Sequence, residues 1–308
     1  RIRTHQQVGR ALEEVYAQRL EDHAAELAAH FSQSTEASDL AKAVKYGEIA
    51  AKRALSVYAY SEAVRLYEEC LKAQEVLDPD DKIRQCDLLI ELGRAMTRAG
   101  EPRRSVDEVA PKAFALAEAM SDNKRKSQVS IQACWSLQNY GGWPSLAAEG
   151  KLWVERADRY ATPDSDERAQ ADIKLGFLKA QEGQRAESRR LYNRGLDLAR
   201  RLGDNQTLLS VATQWLVLSS PLDDADERRK LVDEIMRRPR TRIGDIGTLS
   251  SMLSVLASFF FSIGQRRQAE ELFGELHALV EQTRWAHGRL FDMRWHACGR
   301  VRPRRTGL

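Results

Sequence analysis

The stretch LGFLKAQEGQRAESRRLYNRGLDLARRLGD (175–204) decides the fold. A small residue, Gly176, is followed seven positions later by Gly183, five further on by Ser188 and four more by Tyr192. The same pattern recurs at Gly93, Gly100, Ser105 and Val109, and again at Ala257, Gly264, Ala269 and Phe273. Cys134 with Gly141 and Leu146, and Ala51 with Ala63 and Tyr67, fall into the same phase, the latter set without a turn glycine. The anchors 51, 93, 134, 176 and 257 lie 42, 41, 42 and 81 residues apart, so a degenerate copy belongs between the last two. It runs from Thr207 to Arg238 near Val217, with Trp215 and Leu216 on its first helix and Leu231 and Ile235 on its second. Self-similarity at a fixed period of this length marks a repeat architecture.

Each unit reads as two amphipathic helices. In the first, Ala63, Leu66, Tyr67, Cys70 and Leu71 follow the i, i+3, i+4, i+7, i+8 stripe of a half-buried helix. Gly100 and Gly183 stand where a helix must stop, the left-handed position that glycine takes at least cost. Between units come LDPDDK (77–82), ATPDSDER (161–168) and SPLDDADER (219–227), where Asp164 with Glu167 and Asp224 with Glu227 have capping-box spacing. One helix pair cannot bury its apolar face, whereas stacked pairs share a continuous core and curve into a superhelix with a concave side. The expected fold is an all-α superhelical solenoid of antiparallel helix pairs, period about 41, with about six pairs over residues 36–282.

Composition agrees. Gly (18) and Pro (8) make up about 8% of the 308 residues, against roughly 12% in average usage. Lys plus Arg number 48 and Asp plus Glu 45, a net charge of +3, which implies neither polyanion binding nor an acidic tail. Cys70, Cys86, Cys134 and Cys298 are too scattered for a disulfide framework and read as free thiols of a reducing cytosol, hence a cytoplasmic location. The start RIRTHQQVGRALEEVY lacks an initiator Met and a signal segment and reads as a cut from a longer chain. Leu249–Gly264 (LSSMLSVLASFFFSIG) spans 16 residues with five serines, short of the roughly 20 apolar residues a membrane helix needs, and reads as a buried helix.

The residues LG (92–93), AG (99–100), LG (175–176) and LYNRGLDLARRLGD (191–204) resemble the tetratricopeptide repeat, with a period longer than its 34 residues. A second resemblance covers the first 75 residues. HQQVGRALEEVY (5–16), HAAELAAHF (23–31) and AVKYGEIAAKRALSVYAYSEAVRLYEECL (43–71) look like the junction in large bacterial signalling ATPases. There an AAA-type or STAND-type module passes into C-terminal tetratricopeptide-like repeats, often behind a class III adenylate or guanylate cyclase domain. The resemblance implies that residues 1–35 are a helical junction to an upstream module, and that the repeats sense an effector and modulate nucleotide exchange or oligomerisation elsewhere. Residues 283–308 read as a partial repeat or a disordered basic tail.

Catalytic and metal motifs do not assemble. A phosphate loop needs GxxxxGK followed by Ser or Thr, but Gly150-Lys151 is followed by Leu152 and preceded at the fifth position by Ser145. His23 and His30 share a helix face about 10.5 Å apart, too far for the i, i+4 spacing of zinc helices, and read as a packed or surface pair. His287, His296 and Cys298 are similarly loose. Asp223, Asp224, Asp226 and Glu227 lack the spacing and the glycine of a calcium loop and read as a solvated turn. No GxSxG elbow occurs. Seven arginines between Arg284 and Arg305 form a basic patch that reads as a frayed chain end rather than a nucleic-acid contact. No catalytic residue, metal or cofactor is expected in this segment.

The remaining signal is the concave face. By analogy with tetratricopeptide geometry, the first helix of each unit lines the groove, which selects Arg94, Thr97 and Arg98, then Trp135, Gln138 and Asn139, then Phe177 and Gln181, and finally Ser258 and Phe261. Aromatic and Arg side chains are the types enriched at binding hot spots, although Trp135 and Phe177 also suit a core. The expected role is non-catalytic: an interaction and sensor segment that takes a protein or peptide partner, or a small effector, with no membrane contact. The alternatives are a stand-alone adaptor and an enzyme with a pocket between repeats, which would need a deep polar cavity with ionisable groups of shifted pKa.

Overall fold

The computed structural model describes residues 2–141, 148–218, 225–238 and 246–283, and among them every regular element is helical. A first pair, α1 (Ile2–Val15) and α2 (Ala24–Phe31), precedes α3 (Ala37–Ser56), α4 (Tyr60–Leu77) and α5 (Lys82–Arg98). Then come α6 (Pro102–Arg104), α7 (Ala110–Ala119), α8 (Asn123–Gly141), α9 (Ala148–Tyr160), α10 (Asp166–Gln181) and α11 (Arg185–Leu202). The chain continues with α12 (Asn205–Leu218), α13 (Ala225–Met236), α14 (Ile246–Ser262) and α15 (Arg266–Thr283). A π-helical turn, Ser105–Val109, joins α6 to α7 in one rod. It immediately precedes α7, whose second residue is Pro111, a residue with no N–H to continue the normal ladder.

The repeat is written into the turns. Gly100, Gly183 and Gly264 have φ of 87°, 80° and 79°. At each, the following N–H reaches back five residues: Glu101 to the Met96 carbonyl (2.8 Å), Gln184 to Lys179 (2.8 Å) and Gln265 to Phe260 (2.9 Å). This 6→1 closure satisfies a carbonyl that the helix end would otherwise leave open. The repeat that lacks a turn glycine makes the same closure: Tyr58 takes φ 63° and the Ala59 N–H bonds the Ala54 carbonyl at 2.8 Å. Tyr58 sits seven residues after Ala51, the glycine's place, and its ring makes an edge contact with Tyr60.

The turns between repeats follow a second rule. Ser121, Asp164 and Gly203 are left-handed, with φ of 56°, 53° and 71°, and the next residue caps the following helix. Asp122 accepts from the Arg125 N–H (2.9 Å), Ser165 from Arg168 (3.1 Å) and Asp204 from Thr207 (2.6 Å), as Asp81 does from Arg84 (2.9 Å). Each cap is worth about 1 kcal/mol. Asp164 is therefore not the cap that its spacing indicates. It forms the left-handed turn, Ser165 takes the capping role, and the Glu167 carboxylate accepts from Gln128 Nε2 (2.8 Å). Asp224, Leu146 and the arginines from 284 onward lie outside the described residues.

Two units, Arg1–Leu178 and Lys179–Leu308, are compact in themselves. In the first, α3 packs on α4, α5 on both α4 and α7, and α8 on α9. The small anchors set the spacing. A Cβ on Gly93 would stand 3.1 Å from Ser105 Oγ and 3.6 Å from Val109 Cγ1, so the repeat's own anchor positions meet one another. A Cβ on Gly47 would sit on Cys70 Sγ. Ala51, Ala63 and Tyr67 are buried together. The α1/α2 pair joins this core through Leu27 and Phe31, and α1 is tied to α3 by Gln6 to Asp39 (3.0 Å) and by Tyr46 to Glu13 (2.7 Å). In the second unit α12 packs on α11, α13 and α14, and α14 on α15. Trp215 is buried there and its indole N–H donates to Asn193 at 3.1 Å.

No atom lies within 4 Å of a Cβ built on Gly100 or Gly183, so a substitution there is penalised by backbone conformation alone. Gly100→Ala and Gly183→Ala are each expected to lower the unfolding free energy by about 1–2 kcal/mol in urea titrations. Unchanged midpoints would contradict the role given to these turns.

Candidate functional site

Within the first unit, α5 and α8 bring five of the groove candidates to one half-buried face. Arg94 and Arg98 are one turn apart, as their i, i+4 spacing requires. The Arg98 guanidinium lies 5.9 Å from the Trp135 ring centroid, within cation–π range. Arg94 pairs with Glu91 at 2.6 Å. Asn139 Nδ2 donates to the Trp135 carbonyl (2.8 Å), and Gln138 Oε1 accepts from Lys174 Nζ (3.3 Å). The face thus offers two guanidinium groups, an indole and two amides.

The other candidates fall elsewhere. Thr97 is 6% exposed and serves packing rather than the face. Its hydroxyl donates to the Gly93 carbonyl (2.8 Å), lies 2.7 Å from Ser136 Oγ and is reached by Gln132 Nε2 (3.3 Å). Ser105 adds a bond to the same carbonyl (3.1 Å), so a satisfied polar layer links α5, the π turn and α8 beneath the face. Phe177 on α10 is only 8% exposed, as the core alternative has it. Gln181, Ser258 and Phe261 belong to the second unit. The Ser258 hydroxyl bonds its own helix at Ser254 (2.8 Å), while Phe261 is 47% exposed.

Sequence reasoning missed the ladder that ties successive first helices together. Arg84 on α5 pairs with Glu48 on α3 (2.8 Å), and Arg125 on α8 holds Asp87 on α5 through two bonds of 2.8 Å. Gln128 on α8 then reaches Glu167 on α10. Arg84, Arg125 and Arg168 all stand three residues after a cap, a spacing visible in the chain once the caps are known.

Buried charge concentrates on α10. Asp172 is fully buried and accepts from Arg168 Nε at 2.7 Å. Lys174 is 2% exposed, and burial pushes its ammonium down to about 8. Burial likewise pushes the Cys70 and Cys134 thiols up to about 12 and Cys86 to about 11, which suppresses the thiolate a nucleophile needs. His23 and His30 do not pair. His30 Nδ1 meets His5 Nδ1 of α1 at 3.0 Å, and His23 stacks on Tyr16 with centroids 3.5 Å apart. Gly150 and Lys151 lie inside α9. Among the described residues no group of three His, Cys, Asp or Glu side chains gathers in a metal-binding arrangement, and no helix is long and apolar enough to cross a membrane.

No protein-family model matches the chain, and no curated protein matches it in sequence. Among solved structures, a Rap protein complexed with competence and sporulation factor is similar with a TM-score of 0.53 and 13% identity, over 97% of this chain and 96% of that one. BtubC (BKLC) from P. vanneervenii is similar with a TM-score of 0.48 and 17% identity, over 84% of this chain and 97% of that one. The fold is an all-α, tetratricopeptide-like helical repeat.

Two outcomes are expected. Thr97→Val strands the polar layer and should lower stability by about 1–3 kcal/mol, as read by urea unfolding; a neutral effect would return Thr97 to the exposed face. Lys174 has a folded pKa of about 8 against the ordinary lysine value of 10.5, so the unfolded chain binds the extra proton between those values and stability rises across that window. Lys174→Met should therefore exceed the wild type at pH 7, with a gap that closes from about pH 8 to 10.5; a constant gap would contradict the assignment.

Proposed function

We propose that this chain is a non-catalytic interaction and sensor segment, and that it takes an acidic protein or peptide segment on the face formed by Arg94, Arg98, Trp135, Gln138 and Asn139. The observation that carries the reading is the Arg98 guanidinium over the Trp135 ring, with Arg94 one turn away. Aromatic and Arg side chains of this kind dominate binding energy where they cluster, and guanidinium groups recognise carboxylates bidentately. The polar layer around Thr97 and the Arg125–Asp87 bridge fix the backbone beneath, so little ordering is required on binding. The likeness to a Rap protein complexed with competence and sporulation factor supports a binding role for the fold. The reading requires no cofactor and no metal.

The parent protein is a second level of the proposal. The resemblance of residues 5–71 to the junction of signalling ATPases supports an AAA-type or STAND-type module, with or without a nucleotide cyclase domain, upstream in a cytoplasmic protein. The hydrogen bonds from α1 to α3 give such a module a stiff connection to the repeats. A stand-alone adaptor uses the same face without that connection. The mass of the native gene product separates them: a species well above the 34.9 kDa of this chain supports the fusion, and one near it supports the adaptor.

The binding claim is tested with a library of short peptides of varied charge. The wild-type chain is expected to enrich acidic sequences, and Arg94→Glu with Arg98→Glu to reduce their retention at least about tenfold, the effect of losing roughly 1.4 kcal/mol. Equal retention by the variant would reject this face.

A further inference from the structure

Beneath the partner face lies a charge that costs the fold stability. Lys174 of α10 is 2% exposed, and its neighbours in the helix, Ala171 and Ile173, are fully buried. Burial holds its ammonium down at about 8, so it is still protonated at pH 7. From α8 come the Cys134 thiol, which burial keeps neutral, and the half-buried side chain of Gln138, whose Oε1 accepts from Lys174 Nζ at 3.3 Å. An ammonium group only donates, so it is the oxygen of the Gln138 amide that turns toward it. The NH2 is thereby turned away from Lys174, and among the described residues it makes no hydrogen bond. Gln128, nearer the start of α8, has the opposite orientation because it meets a carboxylate: its Nε2 donates to Glu167 of α10 (2.8 Å). The group on α10 thus decides which end of each glutamine is left over.

That choice bears on what the face can bind. A carboxylate only accepts hydrogen bonds, whereas a carboxamide both donates and accepts. A Gln138 amide without Lys174 would present its oxygen as readily as its NH2, and an oxygen turned to a carboxylate repels it. Held by Lys174, the amide presents donors, one turn along α8 from the Trp135 ring that carries the Arg98 guanidinium. Asn139 is fixed in the other sense, with its Nδ2 spent on the Trp135 carbonyl. Resting on the partner face proposed above, we propose that Lys174 is a positioning residue of that face: it does not touch the partner, but it locks Gln138 as a donor and so makes the site select an Asp or Glu side chain over the isosteric Asn or Gln.

The test measures binding of a capped Glu-Ser repeat peptide and its Gln-Ser counterpart to the full chain by calorimetry at pH 7, for the wild type, Lys174→Met, Gln138→Ala and the double variant. The wild type is expected to prefer the Glu peptide. Each single substitution is expected to weaken Glu-peptide binding about fivefold, the effect of one lost hydrogen bond, and the double variant to bind no more weakly than Gln138→Ala alone. Lys174→Met is expected at the same time to be more stable than the wild type at pH 7, a combination that damage to the fold cannot give. The proposal is overturned if Lys174→Met binds the Glu peptide as the wild type does. It is equally overturned if Lys174→Met weakens binding by the same factor in the Gln138→Ala chain, since the ammonium would then act through its field and not through the amide. A wild type that does not prefer the Glu peptide rejects the acidic partner face itself, and this inference with it. Should Lys174→Met fail to fold by circular dichroism, the wild type alone decides through the side-chain amide resonances of Gln138. A shift with the Glu peptide and none with the Gln peptide is expected, and an equal shift with both, or none with either, overturns the proposal.

Discussion

In every repeat whose turn is described, the first helix stops because one residue adopts a left-handed backbone, and the N–H after it closes back onto a carbonyl five residues earlier. The distance from the small anchor to that residue is always seven, at Ala51 and Tyr58, Gly93 and Gly100, Gly176 and Gly183, Ala257 and Gly264. A fixed distance fixes the phase. The second helix then leaves the turn with its own small residue, Ala63, Ser105, Ser188 or Ala269, always buried. In the second repeat that residue meets the anchor itself, where Gly93 admits Ser105 Oγ and Val109 to a separation a Cβ would crowd. Turn, close approach and core are one constraint seen at three scales.

Function follows from what this constraint leaves over. A helix fixed in phase has an invariant buried stripe, and its remaining faces are available for recognition. On α5 those faces differ in chemistry. One carries Arg94 and Arg98 beside Trp135 of α8, above a polar layer whose hydroxyls and amide satisfy one another. The opposite one carries Leu89 and Met96 over a cleft between α4 and α7. Elsewhere in this unit the described thiols are held in their neutral form by burial, and the buried carboxylate of Asp172 accepts from Arg168.

The helix pairs and their phase are legible in the chain because glycine and alanine are hard to replace where helices touch or turn. Tyr58 is harder to find because its residue type gives no sign of positive φ; only the spacing from Ala51 places it. The cap at Ser165 lies one position beyond the one that spacing suggests, because the left-handed Asp164 before it has the composition of a cap. Analogy puts Thr97 on the exposed face because it assigns a helix face in steps of a turn, and the distinction between Thr97 and Arg98 depends on which side Gln132 and Ser136 approach. The cleft is not legible at all, because it arises from the gap between two second helices rather than from any one of them.

The most direct test of the binding face is a photo-crosslinking residue placed at Arg98 in the cells that make the protein, beside a control at Leu152, which is exposed on α9. The account predicts a discrete adduct from position 98 and none from position 152. An absence of adduct at 98, or the same products from both positions, would contradict it.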